Sequence, residues 1–186
     1  MLRLIAILII LCLPTYSHAS TDYVEVLSGY SIAPLNDPQP DYVTIPLRIA
    51  FTDDAEPMLR RIFGSVTDGT WEYQIEPFID NVMEPHRNVE VGFALGLKYT
   101  FDTAGDVRPY IKVSTGPMYT SQPTLEQATK FNFGSQAALG LQIHLSEDSA
   151  LLLEARLRHF SNAAIETPNS GVDSNYLLAG WRWKVR

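Results

Sequence analysis

Apolar and polar residues alternate one by one through most of the chain beyond its first twenty positions. From Val89 to Phe101 the odd positions are apolar or aromatic, while the even positions hold Glu90, Lys98 and small residues. A period of two is typical of a β-strand whose two faces meet different surroundings. The alternation predicts eight strands, near residues 24–31, 42–52, 69–80, 88–101, 107–118, 131–145, 149–161 and 173–185.

Three features of these segments favour a barrel that spans a membrane over a soluble one. The segments reach the roughly 9–11 residues that a tilted strand needs to cross a bilayer. Aromatic residues such as Trp71, Tyr99, Phe131 and Trp183 cluster toward the segment ends, as interfacial girdles do. Short and long connections alternate along the chain. We therefore predict an all-β fold, an eight-stranded antiparallel transmembrane β-barrel of the outer membrane with its apolar face toward lipid.

The lengths of the connections predict the orientation of this barrel. Residues 103–106 and 146–148 form short turns, whereas 119–130 and 162–172 form longer loops. Outer-membrane barrels place short turns in the periplasm and long loops outside the cell. The two longer loops are therefore expected on the extracellular side. The connection 53–68 departs from the pattern, and we expect a short helix in it.

Two prolines fall inside predicted strands. Pro46 and Pro77 lack the N–H that a sheet ladder needs, and a closed sheet has no free edge to tolerate the missing donor. We therefore expect both prolines at strand ends or bulges.

The first nineteen residues predict a targeting segment rather than part of the fold. Arg3 supplies a positive charge, residues 4–13 form an apolar stretch, and residues 17–19 form a small-residue cleavage site. The apolar stretch is too short for a spanning helix. The domain prediction is a signal peptide over 1–19 and a single β-barrel domain over 20–186.

The composition narrows the partners and cofactors. The chain has 14 basic and 21 acidic residues and a formal net charge of −7, which argues against a nucleic-acid partner. Its one cysteine, Cys12, lies in the predicted signal and leaves no disulfide in the barrel. Neither His86 nor His144 has a carboxylate partner at a metal-like spacing. We expect no metal and no other cofactor.

Three polar residues fall on the predicted lipid-facing side of the last two strands. Between residues 151 and 161, His159 and Ser161 share the outward parity of the leucines, and the outward parity of the last strand reaches Asp173. Residues two apart on a strand lie about 6.6 Å apart, so an imidazole can lean toward the hydroxyl while a neighbouring carboxylate holds its other nitrogen. A hydroxyl nucleophile needs such a base and acid. Each residue alone also fits an interfacial anchor or turn chemistry.

The stretch RHFSNAAIETPNSGVDS, residues 158–174, resembles the signature of the outer-membrane lipid A 3-O-deacylases of the PagL type. That signature reads His-aromatic-Ser-Asn-Ala-Gly, followed after a few residues by Pro-Asn-x-Gly and an acidic residue. The resemblance implies an eight-stranded outer-membrane barrel with a His-Ser-acid triad on its lipid-facing surface. It also implies hydrolysis of the ester-linked 3-hydroxyacyl chain of lipid A, the membrane anchor of lipopolysaccharide, without a metal.

The resemblance implies a role for each matching residue. His159 would be the general base and Ser161 the nucleophile, and Asn162 would help form the oxyanion hole with the backbone N–H of Ala164, where the family has glycine. Asp173 stands at the family's glutamate position and is one methylene shorter, so the two strands would need to lie slightly closer. Glu166, in the loop, is the alternative acid. The site would face the outer leaflet.

Two other functions fit the strand pattern. A non-enzymatic small outer-membrane barrel, an adhesin or surface protein, explains the strands equally well but gives no reason for three polar residues on one outer patch. A soluble periplasmic ligand-binding barrel would turn its apolar face inward.

Overall fold

The computed structural model describes residues 22–36, 38–121 and 124–185. The predicted signal peptide, including Cys12, lies outside the described residues. The fold consists of eight strands and one helix, namely β1 (Tyr23–Ala33), β2 (Tyr42–Asp54), α1 (Glu56–Phe63), β3 (Thr70–Glu84), β4 (Asn88–Thr100), β5 (Val107–Thr120), β6 (Phe131–His144), β7 (Ser149–Ser161) and β8 (Val172–Lys184). The eight predicted strands are confirmed, and so is the short helix expected between the second and third strands.

The strands form one closed antiparallel barrel in which each strand pairs with its neighbours in sequence. β1 closes the barrel against β8, in a register that runs from Tyr23 opposite Lys184 to Ile32 opposite Asn175. Closure matters in a bilayer because an open edge would leave backbone N–H and C=O groups without partners in hydrocarbon. Among the described residues, no helix is both long and apolar enough to span a membrane.

The two faces of each strand differ in the way the alternation predicts. Outward-pointing leucines are strongly exposed; Leu157 is 61% and Leu177 is 72% accessible. The alternate positions on the same strands, such as Arg156 and Arg158, are buried inside the barrel. The apolar face therefore points out and the polar face in, which contradicts the soluble barrel with its apolar face inward.

Buried ion pairs lie in the barrel interior beside buried apolar residues such as Phe160. The Glu76 carboxylate accepts hydrogen bonds from Arg48 at 3.2 Å and from Arg156 at 2.5 Å, and it also pairs with Lys112. Asp80 accepts from Arg48 at 2.8 Å and from Arg158 at 3.1 Å. Buried charges are tolerated only when they are paired and hydrogen-bonded. Cross-barrel pairing of this kind packs the interior that a larger barrel would leave as a water-filled channel.

Aromatic side chains mark both ends of the outer wall. At the end that carries the turns 101–106 and 145–148, the Trp71 and Tyr99 ring centroids lie 4.6 Å apart, and those of Tyr99 and Phe101 lie 4.7 Å apart. At the opposite end, the Phe131 and Phe133 rings meet edge-on at 5.1 Å. The rings lie where aromatic girdles of membrane barrels meet the lipid–water interface.

The expectation for the prolines was wrong. Pro77 lies in the middle of β3, opposite Phe93, and Pro46 lies in the middle of β2. The β1–β2 register has no paired position at Pro46, and the Ser28 hydroxyl donates instead to the Pro46 carbonyl at 2.7 Å. The one register shift between β2 and β3 falls at Val43 and Thr44. Both strands thus continue through their prolines without a bulge, although each proline lacks an N–H donor.

Candidate active site

His159 and Asp173 form a cross-strand pair on the exterior of the barrel. They lie directly opposite each other on β7 and β8, and Nδ1 of His159 is 2.7 Å from Oδ1 of Asp173. Because a carboxylate can only accept, the ring donates its Nδ1–H to this contact. The direct pairing brings the shorter aspartate within reach of the ring. Both side chains are exposed, His159 to 48% and Asp173 to 84%.

Ser161 lies two residues beyond His159 on the same face of β7. It is half-buried and lies opposite Phe133 of β6. Within the described part of the chain, no hydrogen bond joins its hydroxyl to His159. Catalytic hydrogen bonds are often long in free enzymes and shorten when substrate binds. The structure therefore brings the predicted base and acid into contact and places the predicted nucleophile one outward position further along the strand.

Glu166 has a different environment from Asp173. It is exposed in the loop between β7 and β8, and its backbone carbonyl accepts a hydrogen bond from the Asn162 side chain at 2.9 Å. No contact between the Glu166 carboxylate and His159 is found within the described part of the chain. Of the two acids that the sequence allows, Asp173 is the one in contact with the ring.

Asn162 organises the turn that follows Ser161. Asn162 is fully buried. Its Nδ2 donates to the Glu166 carbonyl, and its Oδ1 accepts the Ile165 N–H at 3.1 Å. Its own N–H donates to Oδ1 of Asn169 at 2.8 Å. In this conformation the side chain supports the loop, a role that the sequence prediction had not included. The signal was present, because asparagine side chains commonly bond nearby backbone in turns.

Two consecutive alanines in this turn adopt the left-handed backbone region. Ala163 has φ 55° and Ala164 has φ 62°. Residues with a Cβ rarely adopt this conformation, which costs about 1–2 kcal/mol per residue. Within the described residues, neither alanine N–H donates a hydrogen bond. Adjacent N–H groups left open in a turn can form a concave site for an anion.

The loop 124–130 supports the loop that carries these alanines. Ala128 N–H donates to the Pro168 carbonyl at 3.0 Å, and Ser170 N–H donates to the Glu126 carbonyl at 3.1 Å. The Glu126 carboxylate in turn accepts the Asn36 N–H at 2.9 Å from the loop between β1 and β2. Burial opposes ionisation of Glu126, but hydrogen bonds that include the one from Asn36 hold its pKa below the usual value. Three loops thus meet at Glu126, one through its carboxylate and one through its backbone carbonyl, an arrangement that sequence alone did not predict.

An open apolar depression of about 830 Å³ lies on the same outer wall. Its floor includes Ala155 of β7, which lies opposite Leu139 of β6 and Leu177 of β8 and is flanked by Leu153 on its own strand. His159, Ser161 and Asp173 do not line it. Ala155 is four residues from His159 on the same face, a separation of about 13 Å along the strand.

The described residues contain no group of three or more His, Cys, Asp or Glu side chains arranged to hold a metal ion. His144 contacts Gln142 through its Nε2 at 2.9 Å. His86 lies in the tight connection between β3 and β4.

The chain matches the sequence model of the family described as Lipid A 3-O-deacylase (PagL) over residues 57–182. Its structure is similar to the crystal structure of the outer membrane enzyme PagL, with a TM-score of 0.63 and 18% identity over 85% of this chain and 97% of that one. It is also similar to Neisserial surface protein A, with a TM-score of 0.63 and 15% identity over 90% of this chain and 99% of that one. No curated protein sequence matches the chain significantly. At these identities the structural likeness shows the barrel fold alone.

Proposed function

Because the chain belongs to the PagL family of lipid A 3-O-deacylases, we propose that it removes the 3-O-linked hydroxyacyl chain of lipid A with a serine nucleophile on its lipid-facing wall. One observation carries the proposal: His159 and Asp173 meet at 2.7 Å on the outside of the barrel, with Ser161 on the same face. An outward cluster of polar side chains has no role in a wall that only contacts lipid. The non-enzymatic barrel leaves this cluster unexplained.

The reaction follows from the three side chains. Ser161 Oγ attacks the acyl carbonyl carbon and transfers its proton to Nε2 of His159, while Asp173 holds Nδ1–H and stabilises the imidazolium. The tetrahedral intermediate collapses as the ester C–O bond breaks, and the imidazolium gives the proton to the departing lipid A oxygen. Water then attacks the acyl-enzyme with His159 again acting as base, and the 3-hydroxy fatty acid leaves with Ser161 restored.

The turn after Ser161 supplies the oxyanion site in this proposal. The negative oxygen of the intermediate accepts hydrogen bonds from the open N–H groups of Ala163 and Ala164. Asn162, the other predicted oxyanion residue, holds these N–H groups in place through its bonds to the loop. Donors fixed before the reaction stabilise developing charge without reorganising during it.

The apolar depression around Ala155 is the proposed site of the acyl chain. Ser135 and Ala137, two small outward residues of β6, lie opposite His159 and Leu157 and lead from the triad toward the depression. The separation of about 13 Å along the strand matches an acyl chain that fills one leaflet, half of a hydrocarbon core about 30 Å thick. The loops 121–130 and 162–171 lie at the triad end, opposite the short turns 101–106 and 145–148, which supports an outer-leaflet orientation.

Mass spectrometry of lipid A from a Gram-negative host expressing the protein tests the proposal. Wild type is expected to remove one hydroxyacyl chain, and His159→Ala and Ser161→Ala are expected to leave lipid A intact. Ser135→Ala is the matched control, because Ser135 is an exposed hydroxyl directly opposite His159. Folding of each variant is checked by the mobility shift of the unheated barrel in SDS gels.

Each alternative has its own outcome in this experiment. Intact lipid A with folded wild type would favour the non-enzymatic barrel. Loss of activity in Ser135→Ala together with an active Ser161→Ala would show that the nucleophile is Ser135 on β6 and not Ser161 on β7. Activity retained by Asp173→Ala but lost by Glu166→Ala would overturn the choice of acid.

A further inference from the structure

Gly171 lies directly against the ring of His159. A Cβ built on Gly171 would fall 2.3 Å from Cε1, 2.9 Å from Nε2 and 3.2 Å from Nδ1 of that ring. Real Cβ atoms essentially never come within 3.0 Å of another heavy atom in this way. The imidazole therefore occupies the space that any side chain at position 171 would need.

This contact complements the hydrogen bond to Asp173. One hydrogen bond at Nδ1 fixes a single atom of the ring and leaves the ring free to pivot about it. Gly171 closes one side of that motion, because the position that its Cβ would take lies only 2.9 Å from Nε2. Nε2 is the nitrogen left to exchange a proton with Ser161.

We propose that Gly171 is a positioning residue that holds the His159 imidazole in the orientation needed for proton transfer. The inference rests on the proposed function, in which His159 is the base. Gly171 has φ +82° and lies one residue before β8 begins, two residues before Asp173. The same short segment thus supplies both the carboxylate and the surface that confine the ring.

A methyl group at position 171 would have to displace the ring by about 1 Å to reach ordinary van der Waals contact. A misplacement of that size in a catalytic group can lower the rate by about 10²-fold. The substrate contacts lie elsewhere in the proposal, so the loss should fall on kcat and leave KM nearly unchanged.

Gly64 offers a matched control for backbone strain. It has φ +79°, and a Cβ on it would meet no atom within 4 Å. Gly171→Ala and Gly64→Ala therefore both impose a positive φ of about 80° on an alanine, and only Gly171→Ala adds a collision with His159. Gly64→Ala should keep wild-type kcat, whereas Gly171→Ala should lose about 10²-fold.

A spectroscopic readout tests the geometry independently of activity. In ¹⁵N-histidine-labelled protein, the Nδ1–H signal of His159 is assigned by its absence in His159→Ala. Gly171→Ala should shift or broaden this signal, and Gly64→Ala should leave it unchanged. This result stands even if lipid A is not cleaved, so failure of the positioning role and failure of the proposed function are distinguished.

The stability of the double variant, Gly171→Ala with His159→Ala, distinguishes a collision with the ring from a general folding defect. If the added methyl group collides with the ring, Gly171→Ala should destabilise the His159→Ala background less than it destabilises wild type, measured by urea unfolding in vesicles. An equal cost of Gly171→Ala in both backgrounds, or an unchanged Nδ1–H signal with wild-type kcat, would overturn the proposal.

Discussion

Polar residues on the outer wall are tolerated because of where they lie along the strands. His159 is the third residue from the end of β7, and Asp173 is the second residue of β8. The cost of a charged group on a lipid-facing wall is largest at the bilayer midplane and falls toward the interfaces. A polar site near the strand ends can therefore persist in a wall that is otherwise apolar.

Replacing Asn162 tests whether its side chain holds the turn that presents the oxyanion donors. Asn162→Ala removes the side-chain hydrogen bonds to the Glu166 carbonyl and the Ile165 N–H. The two alanines that follow should then leave the left-handed region, and their N–H groups should no longer point toward the oxyanion. We expect activity to fall about 10²–10³-fold, as when one oxyanion donor is lost. Lipid A deacylation in detergent micelles measures the loss.

Asn88→Ala is the control for this change. Asn88 also supports a connection at the same end of the barrel, since its Nδ2 donates to the His86 carbonyl at 2.8 Å. It should retain wild-type activity. Full activity in Asn162→Ala would show that the turn does not need this side chain to present its donors.

At the scale of whole elements, the alternation of apolar and polar residues predicted the strands and the face on which each side chain lies. It identified all eight strands and the outward parity of His159, Ser161 and Asp173, because a one-residue slip would reverse every side chain of a strand. It failed for Pro46 and Pro77, because whether a missing donor is tolerated depends on the neighbouring strand. It also missed the Glu126 contacts between loops, which join residues about ninety positions apart.

Filling the outer depression should change which acyl chains are accepted. In Ala155→Leu the added carbons rise from the floor between Leu139 and Leu177, so a long chain should lose its contact there. A misfit of about a methylene or more in an apolar site typically costs 10–200-fold, and we expect a loss in this range for the longest chain. Competing cleavage of lipid A with long and short 3-O-acyl chains, followed by mass spectrometry, measures the ratio of long-chain to short-chain cleavage.

Val91→Leu adds bulk to the outer wall of β4, three strands from β7, and should leave the ratio unchanged. An equal loss on long and short chains in Ala155→Leu would place the acyl chain elsewhere on the wall.

At the scale of the whole molecule, ion pairs share the barrel interior with buried apolar side chains such as Phe160 and Leu152. Glu76 alone pairs with Arg48, Lys112 and Arg156, from three different strands. Because the contacts with Lys112 of β5 and Arg156 of β7 cross the interior, they fix the relative positions of strands that are not neighbours in the sheet. The sequence indicated a polar interior but not its partners, since pairing across a barrel depends on strand stagger as well as parity.

Glu76→Gln should therefore destabilise the barrel as a whole. The change leaves three buried cations with less negative charge, and breaking a buried pair typically costs about 3–5 kcal/mol. Urea unfolding of the protein in vesicles should show a lower midpoint. Glu147→Gln, in the exposed turn between β6 and β7, is the matched control and should leave the midpoint unchanged. An unchanged midpoint for Glu76→Gln would mean that the network adjusts around a neutral side chain.

The outward placement of His159, Ser161 and Asp173 also bears on how the enzyme would meet its substrate. A molecule anchored in the same leaflet arrives by sideways diffusion, so the encounter takes place in two dimensions and its frequency follows surface density. Bulk concentration then matters little. Diluting the leaflet with inert amphiphiles should slow turnover even when the total amount of lipid A in the sample is constant.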